Sequence, residues 1–157
     1  MTKPGVTFRL VTAATAHVLE RVDVDVFDNP LVPESLSQFL GNPMNHLVVA
    51  IVEDATGSAN DGIVIGMASA ISYVHPDKPL QMFINEVGVA DRYRRLGIGI
   101  QLVQFLLEHG RHLGCTEAWV ATEVGNAAAR SLYRATGGRE EDERAVVYTY
   151  DLAHLEQ

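Results

Sequence analysis

Residues Arg94-Arg95-Leu96-Gly97-Ile98-Gly99 bring two guanidinium groups and two glycines to the point where an apolar helix begins. The first turn of a helix leaves its N–H groups without intrahelical partners, and the helix dipole adds to their pull on an anion. Glycines at 97 and 99 let a bulky anion approach the backbone and permit angles that crowd other residues. Arg94 and Arg95 add charge-assisted donors. The chemistry that fits is a seat for a phosphorylated ligand. The alternative is a tight strand-to-helix turn with solvated arginines. Neither standard nucleotide loop is present: GxxxxGK[ST] is absent, and GxGxxG needs a third glycine where Leu102 stands.

The elements around this loop follow from hydropathy patterning. Strands are expected at Val6–Val11, His46–Asp54, Ile63–Val74 and Leu80–Ala90, with a turn at "ATGSANDG" closing a hairpin. "TAATAHVLERVDVDVF" and "NPLVPESLSQFLGN" read as helices, the second with Pro33 in its first turn and Gly41 at its end. After the loop, Ile98, Leu102, Phe105, Leu106 and Leu113 recur at helical spacing. "CTEAWVATE" then reads as a strand, "NAAARSLYRATGG" as a helix and "AVVYTYDL" as a last strand. Strand, helix, strand over Leu80–Glu123 predicts a parallel crossover beside antiparallel hairpins. The expected fold is α/β (α+β): a mixed, mostly antiparallel sheet of six to seven strands with helices on both faces.

At 157 residues the chain favours one domain over residues 1–157. Composition is 47% hydrophobic and 20% charged, which opposes disorder. The single cysteine, Cys115, leaves no intramolecular disulfide or cysteine-based zinc cluster and reads as packing. His109 and His112 lie at i, i+3 without a supporting ligand set, so no metal is expected. No run reaches membrane-spanning length and the N-terminus is too polar for a signal peptide, so a cytoplasmic protein is the default. A formal net charge of −8 opposes nucleic-acid binding and suits a cationic partner, or solubility alone.

"VGVADRYRRLGIGIQLV" resembles the signature of the GNAT superfamily of N-acetyltransferases: Arg or Gln, two residues, Gly, one residue, then Gly or Ala, after an apolar strand. "NAAARSLYRATGG" resembles the family's Asn-x-x-Ala-x-x-Leu-Tyr-x-x-x-Gly-Phe stretch, matched at Asn126, Ala129, Leu132, Tyr133 and Gly137, with Gly138 in place of the aromatic. The resemblance covers essentially the whole chain. It implies acetyl-coenzyme A as co-substrate, its pyrophosphate held by backbone N–H groups of Arg94, Arg95, Leu96, Gly97, Ile98 and Gly99. It implies pantetheine and acetyl contacts from the main chain of Val87 and Val89, freed by a bulge near Gly88, and a further coenzyme contact at Asn126, which also suits a helix cap.

Acetyl transfer from a thioester needs a neutral amine, a donor for the carbonyl oxygen, an acid for the leaving thiolate and alignment of both substrates. The resemblance makes Glu86 the base and Tyr133 the acid; the alternatives are a marginal surface carboxylate and a core tyrosine. Simple alternation places Glu86 on the same face as Ile84 and Gly88. Acidic residues collect at Asp23, Asp25, Asp28 and Glu34, and again at Glu140, Glu141, Asp142 and Glu143, with Glu123 between the two motifs. If they converge, with His75 at a strand end, they surround a small cationic amine. Softer likenesses, "DVF", "ISYVHPDKP" and "GGREE", resemble the type I aminoglycoside 3-N-acetyltransferases, which implies antibiotic resistance. A polyamine, another small amine or a protein amine is the enzymatic alternative. A non-catalytic coenzyme-binding module is the alternative of another class. Homodimers are common in the family, and the final strand is placed to pair across one.

Overall fold

The computed structural model describes residues 5–53 and 62–154, so most of the "ATGSANDG" turn lies outside the described residues. Five strands form one sheet in chain order: β1 (Val6–Leu10), β2 (Asn45–Val52), β3 (Ile63–Tyr73), β4 (Gln81–Val89) and β5 (Glu117–Trp119). β1 to β4 pair antiparallel and β5 joins β4 parallel, as the strand-helix-strand pattern requires. α1 (Pro33–Gly41) runs between β1 and β2, α2 (Ile98–Leu113) runs between β4 and β5, and α3 (Ala127–Ala135) follows β5.

Both faces of the sheet are covered. On one, Leu102, Val103 and Leu106 of α2 pack on Val48, Ala68, Met82 and Ile84. On the other, Leu19, Val26 and the α1 side chains Leu36, Phe39 and Leu40 pack on Val49, Val64 and Met67. The continuous β-branched runs of β2 and β3 are what two covered faces demand, and their residues are almost uniformly buried.

Three expectations are corrected. The first helix is a 3₁₀ segment, Ala13–Glu20. The chain beyond it is not helical: Val22 bridges Val64, the amide of Asp23 donates to the Val64 carbonyl, and turns and bends follow. β5 is three residues long rather than nine. Residues 145–152 form no strand among the described residues, which lowers the count to five. Alternating hydropathy makes a strand only where a neighbouring edge supplies hydrogen bonds. Here β5 offers a short edge, and the preceding Glu140 is tied to α3 by Arg130 and Arg134 and pairs with Arg144 in its own segment.

Candidate functional site

The "RRLGIG" loop divides its arginines between two tasks. The Arg94 Nε donates to the Val89 carbonyl at 3.1 Å, and its Nη2 pairs with Asp91 at 2.9 Å, so Arg94 fastens the loop to the end of β4. Arg92 does the same at a distance in sequence, holding Asp23 at 2.7 Å while lying over the Tyr93 ring. Arg95 has no side-chain partner among the described residues. Its backbone is left-handed at φ 62°, as is that of Gly97 at φ 80°. The fastenings just before it, at Arg92 and Arg94, hold the strained non-glycine position.

Gly97 is the N-cap of α2, and no side chain among the described residues caps the helix. Gln101 is the first residue whose N–H bonds back, to the Gly97 carbonyl at 3.1 Å. The amides of Ile98, Gly99 and Ile100 are therefore left for an anion, beside the unpaired Arg95 guanidinium. A side chain at Gly97 would meet open space, so its backbone angle, not crowding, requires glycine. These groups fit a pyrophosphate.

β4 then opens the sheet. It pairs with β5 only from Gln81 to Phe83; from Ile84 to Val89 it has β3 on one side and, among the described residues, no strand on the other. The expected bulge is present, but at Asn85: Ser69 faces Glu86 while the next residue, Ala70, faces Ile84. Gly88 stays in register with Met67. Its glycine answers a different need, because a Cβ there would collide with the Val26 carbonyl oxygen.

The extra residue reverses the parity of everything after it. Ile84, Val87 and Val89 share the α2 face. Glu86 and Gly88 turn to the opposite face, where the Val26 backbone lies across Gly88. Glu86 thus shares a face with Gly88 and not with Ile84. The segment across Gly88 carries Asp28, whose charge acts on Glu86. Partial burial first, and the Asp28 carboxylate second, push the Glu86 carboxyl above its ordinary value.

Tyr133 comes from the other side. It packs half-buried against the α2-face core, its hydroxyl has no partner among the described residues, and burial raises its pKa. Asn126 caps α3, its side-chain oxygen accepting from the Ala129 amide at 3.0 Å. Gly138 donates to the Tyr133 carbonyl at 2.8 Å, and a Cβ at 138 would lie 2.8 Å from that oxygen. The missing aromatic is thus exchanged for a tight helix end that fixes the backbone of Tyr133.

The remaining acidic residues behave differently from Asp28. Glu140 binds Arg130, Arg134 and Arg144, whose hydrogen bonds hold its carboxyl down at about 2. Glu141 faces Arg139 at 3.4 Å, and Asp142 and Glu123 are exposed. The Tyr73 end of β3 lies opposite the Gly66 end that meets Val89, and His75 follows it, its ring against Tyr73.

The Acetyltransferase (GNAT) family model matches residues 10–137. The chain belongs to the GNAT acetyltransferase family. This GNAT chain is 24% identical over 99 residues to thialysine N-ε-acetyltransferase of Mus musculus, an alignment spanning 63% of the chain and 58% of that relative. It is 27% identical over 124 residues to N-alpha-acetyltransferase 30 of Saccharomyces cerevisiae, covering 78% and 67%. Its fold superposes on an aminoglycoside acetyltransferase from an uncultured soil metagenomic sample, in complex with sisomicin, with a TM-score of 0.73 at 18% identity, covering 94% and 96%. The aminoglycoside acetyltransferase AAC(6')-Iy, in complex with a bisubstrate analogue, gives 0.71 at 21% identity, covering 94% and 99%. No helix among the described residues is long and apolar enough to cross a membrane.

Proposed function

We propose that this GNAT chain transfers the acetyl group of acetyl-coenzyme A to an amine of a compact polycationic acceptor, an aminoglycoside. One observation carries the reading: the bulge at Asn85 turns Glu86 toward Asp28, on a strand that is open on its β5 side and leads into an uncapped helix start. An acidic pair beside an anion seat brings a cationic acceptor to an anionic donor.

The co-substrate supplies the activated acetyl carbon. The amides of Ile98, Gly99 and Ile100 and the guanidinium of Arg95 hold its pyrophosphate, with Asn126 alongside. Glu86, kept partly protonation-competent by its surroundings, takes the proton of the attacking amine. Main-chain groups of Val87 and Val89 on the open side of β4 hold the pantetheine arm and receive the carbonyl oxygen. Tyr133, on the opposite face of the splayed sheet, gives its proton to the departing sulfur. Asp28 adds the second negative charge that holds a polycation. The pairing of the Glu140 carboxylate with three arginines takes it out of that role, and the acceptor charges are Glu86 and Asp28.

Thiol release from acetyl-coenzyme A, measured against a panel of kanamycin, gentamicin, polyamines and peptide amines, tests the reading. Turnover with an aminoglycoside is expected, and product analysis then distinguishes the 3-amino group favoured by the sequence likeness from the 6'-amino group. Peptide or lysine amines are the second reading, favoured by the two sequence relatives; exclusive turnover of these would replace the preferred acceptor. Glu86→Gln is expected to lower kcat by about 10²-fold or more.

A further inference from the structure

The parity reversal at Asn85 also decides what lies next to Glu86 along the sheet. On the Glu86 face, successive cross-strand rows are Ser69–Glu86, then Ile71–Phe83–Trp119, then Tyr73–Gln81–Glu117. The first two rows are about 7 Å apart along β3. The middle row is apolar yet joins neither hydrophobic core. Trp119 is 45% exposed and Ile71 37%, on a sheet whose other inward residues are nearly all buried.

These side chains are held in place. The Trp119 ring lies 4.5 Å from Phe83 at an interplanar angle of 38°. Its Nε1 donates to the Tyr73 hydroxyl, which itself donates to Gln81 at 3.2 Å. Gln81 in turn donates to Glu117 at 3.3 Å. A solvent-facing aromatic pair fixed by a polar chain on one side and bordered by Glu86 and Asp28 on the other is a platform with acidic ends.

We propose that Trp119 and Phe83 form the floor of the acceptor site and select for ring-bearing polyamines over linear ones. The inference rests on the acetyl-transfer reading and names the shape of its acceptor. An aminocyclitol or amino-sugar ring has a C–H face that lies on an aromatic surface and ammonium groups around its edge that reach Glu86, Asp28 and the exposed Glu117. A flexible linear polyamine carries the same charge but has no face to lay on the platform.

Trp119 is the one tryptophan of the chain, so its emission reports the platform directly. Kanamycin added without coenzyme is expected to change that emission saturably, with a midpoint near its KM, while spermine gives no saturable change over the same range. Trp119→Ala is expected to raise the kanamycin KM about tenfold and leave the acetyl-coenzyme A KM within about twofold. Trp119→Phe keeps an aromatic face and should stay within about threefold of the parent KM. Flat emission at kanamycin concentrations that saturate turnover, or an alanine variant whose kanamycin KM moves less than twofold, overturns the platform. Calorimetry with coenzyme A on the same preparation separates the two levels. Coenzyme binding with flat emission removes the platform alone, whereas absence of coenzyme binding removes the acetyl-transfer reading beneath it.

Discussion

Glu86 is raised above the ordinary carboxylate range by two different neighbours, its partly buried setting and the Asp28 charge. Only the second can be removed without disturbing the fold. Asp28→Asn takes away a repulsion that disfavours the Glu86 carboxylate, so the Glu86 pKa should fall. If Glu86 is the base, the acidic limb of the kcat/KM profile moves to lower pH, while the acceptor KM rises through loss of one anionic contact. A limb that stays in place while KM rises would assign Asp28 to acceptor binding and deny its coupling to the base. Both residues are legible in the sequence as isolated carboxylates. Their meeting is not, because it depends on the Val26 backbone lying across Gly88 and on one extra residue at Asn85, and hydropathy alternation carries no mark of a bulge.

At the scale of elements, the loop and the helix after it were readable, since glycine spacing and helical periodicity are local properties. The division of labour between adjacent arginines was not, because the Val89 carbonyl that claims Arg94 is fixed only once β4 ends there. Arg95→Ala should therefore raise the acetyl-coenzyme A KM about tenfold with little loss of stability. Arg94→Ala should lower thermal stability as well, since it frees the loop from β4; equal KM effects with unchanged melting for both would contradict this division. A second element-level consequence lies at the other end of α2. His109 donates to or accepts from His46 at 3.0 Å, and His46 meets the buried Ser72 at 2.8 Å. Burial first, then the neighbouring His109, lowers the His46 pKa to about 4, and burial lowers that of His109. Between that value and the ordinary 6.5 the unfolded chain binds more protons than the folded one. Stability is thus full above about pH 6.5 and falls as the pH drops toward 4, by roughly 2–3 kcal/mol once solvent screening is discounted from a shift of this size. Urea midpoints between pH 7 and 4.5 should decline accordingly, and a flat series would mean the cluster protonates without cost.

Across the whole molecule, the sequence led to the layered sheet and its crossover because continuous apolar strands and one strongly periodic helix dominate them, and it misplaced the C-terminal segment because strand pairing is a property of two segments rather than one. That segment leaves Val146, Val147, Tyr148, Tyr150 and Leu152 between 73% and 87% exposed. Contiguous apolar residues at this exposure are costly in water, and a segment of high β-propensity seeks a free edge. The same chain carries such an edge in β5, whose three residues are all exposed. One chain with both a free strand-former and a free edge satisfies the condition for a two-fold pairing in which each copy gives what it receives. Five large side chains a copy amount to several hundred Å², the order of one side of a standard interface. The protein is therefore expected to sediment as a dimer at micromolar concentration. A chain ending at Arg144 should be monomeric, while retaining the Arg144–Glu140 pair and the α3 end that seats Tyr133. Light scattering of the full chain and of the shortened one, over a hundredfold range of concentration, decides the matter: a full-length monomer throughout, or a dimer that survives the truncation, would place the apolar segment in some other contact.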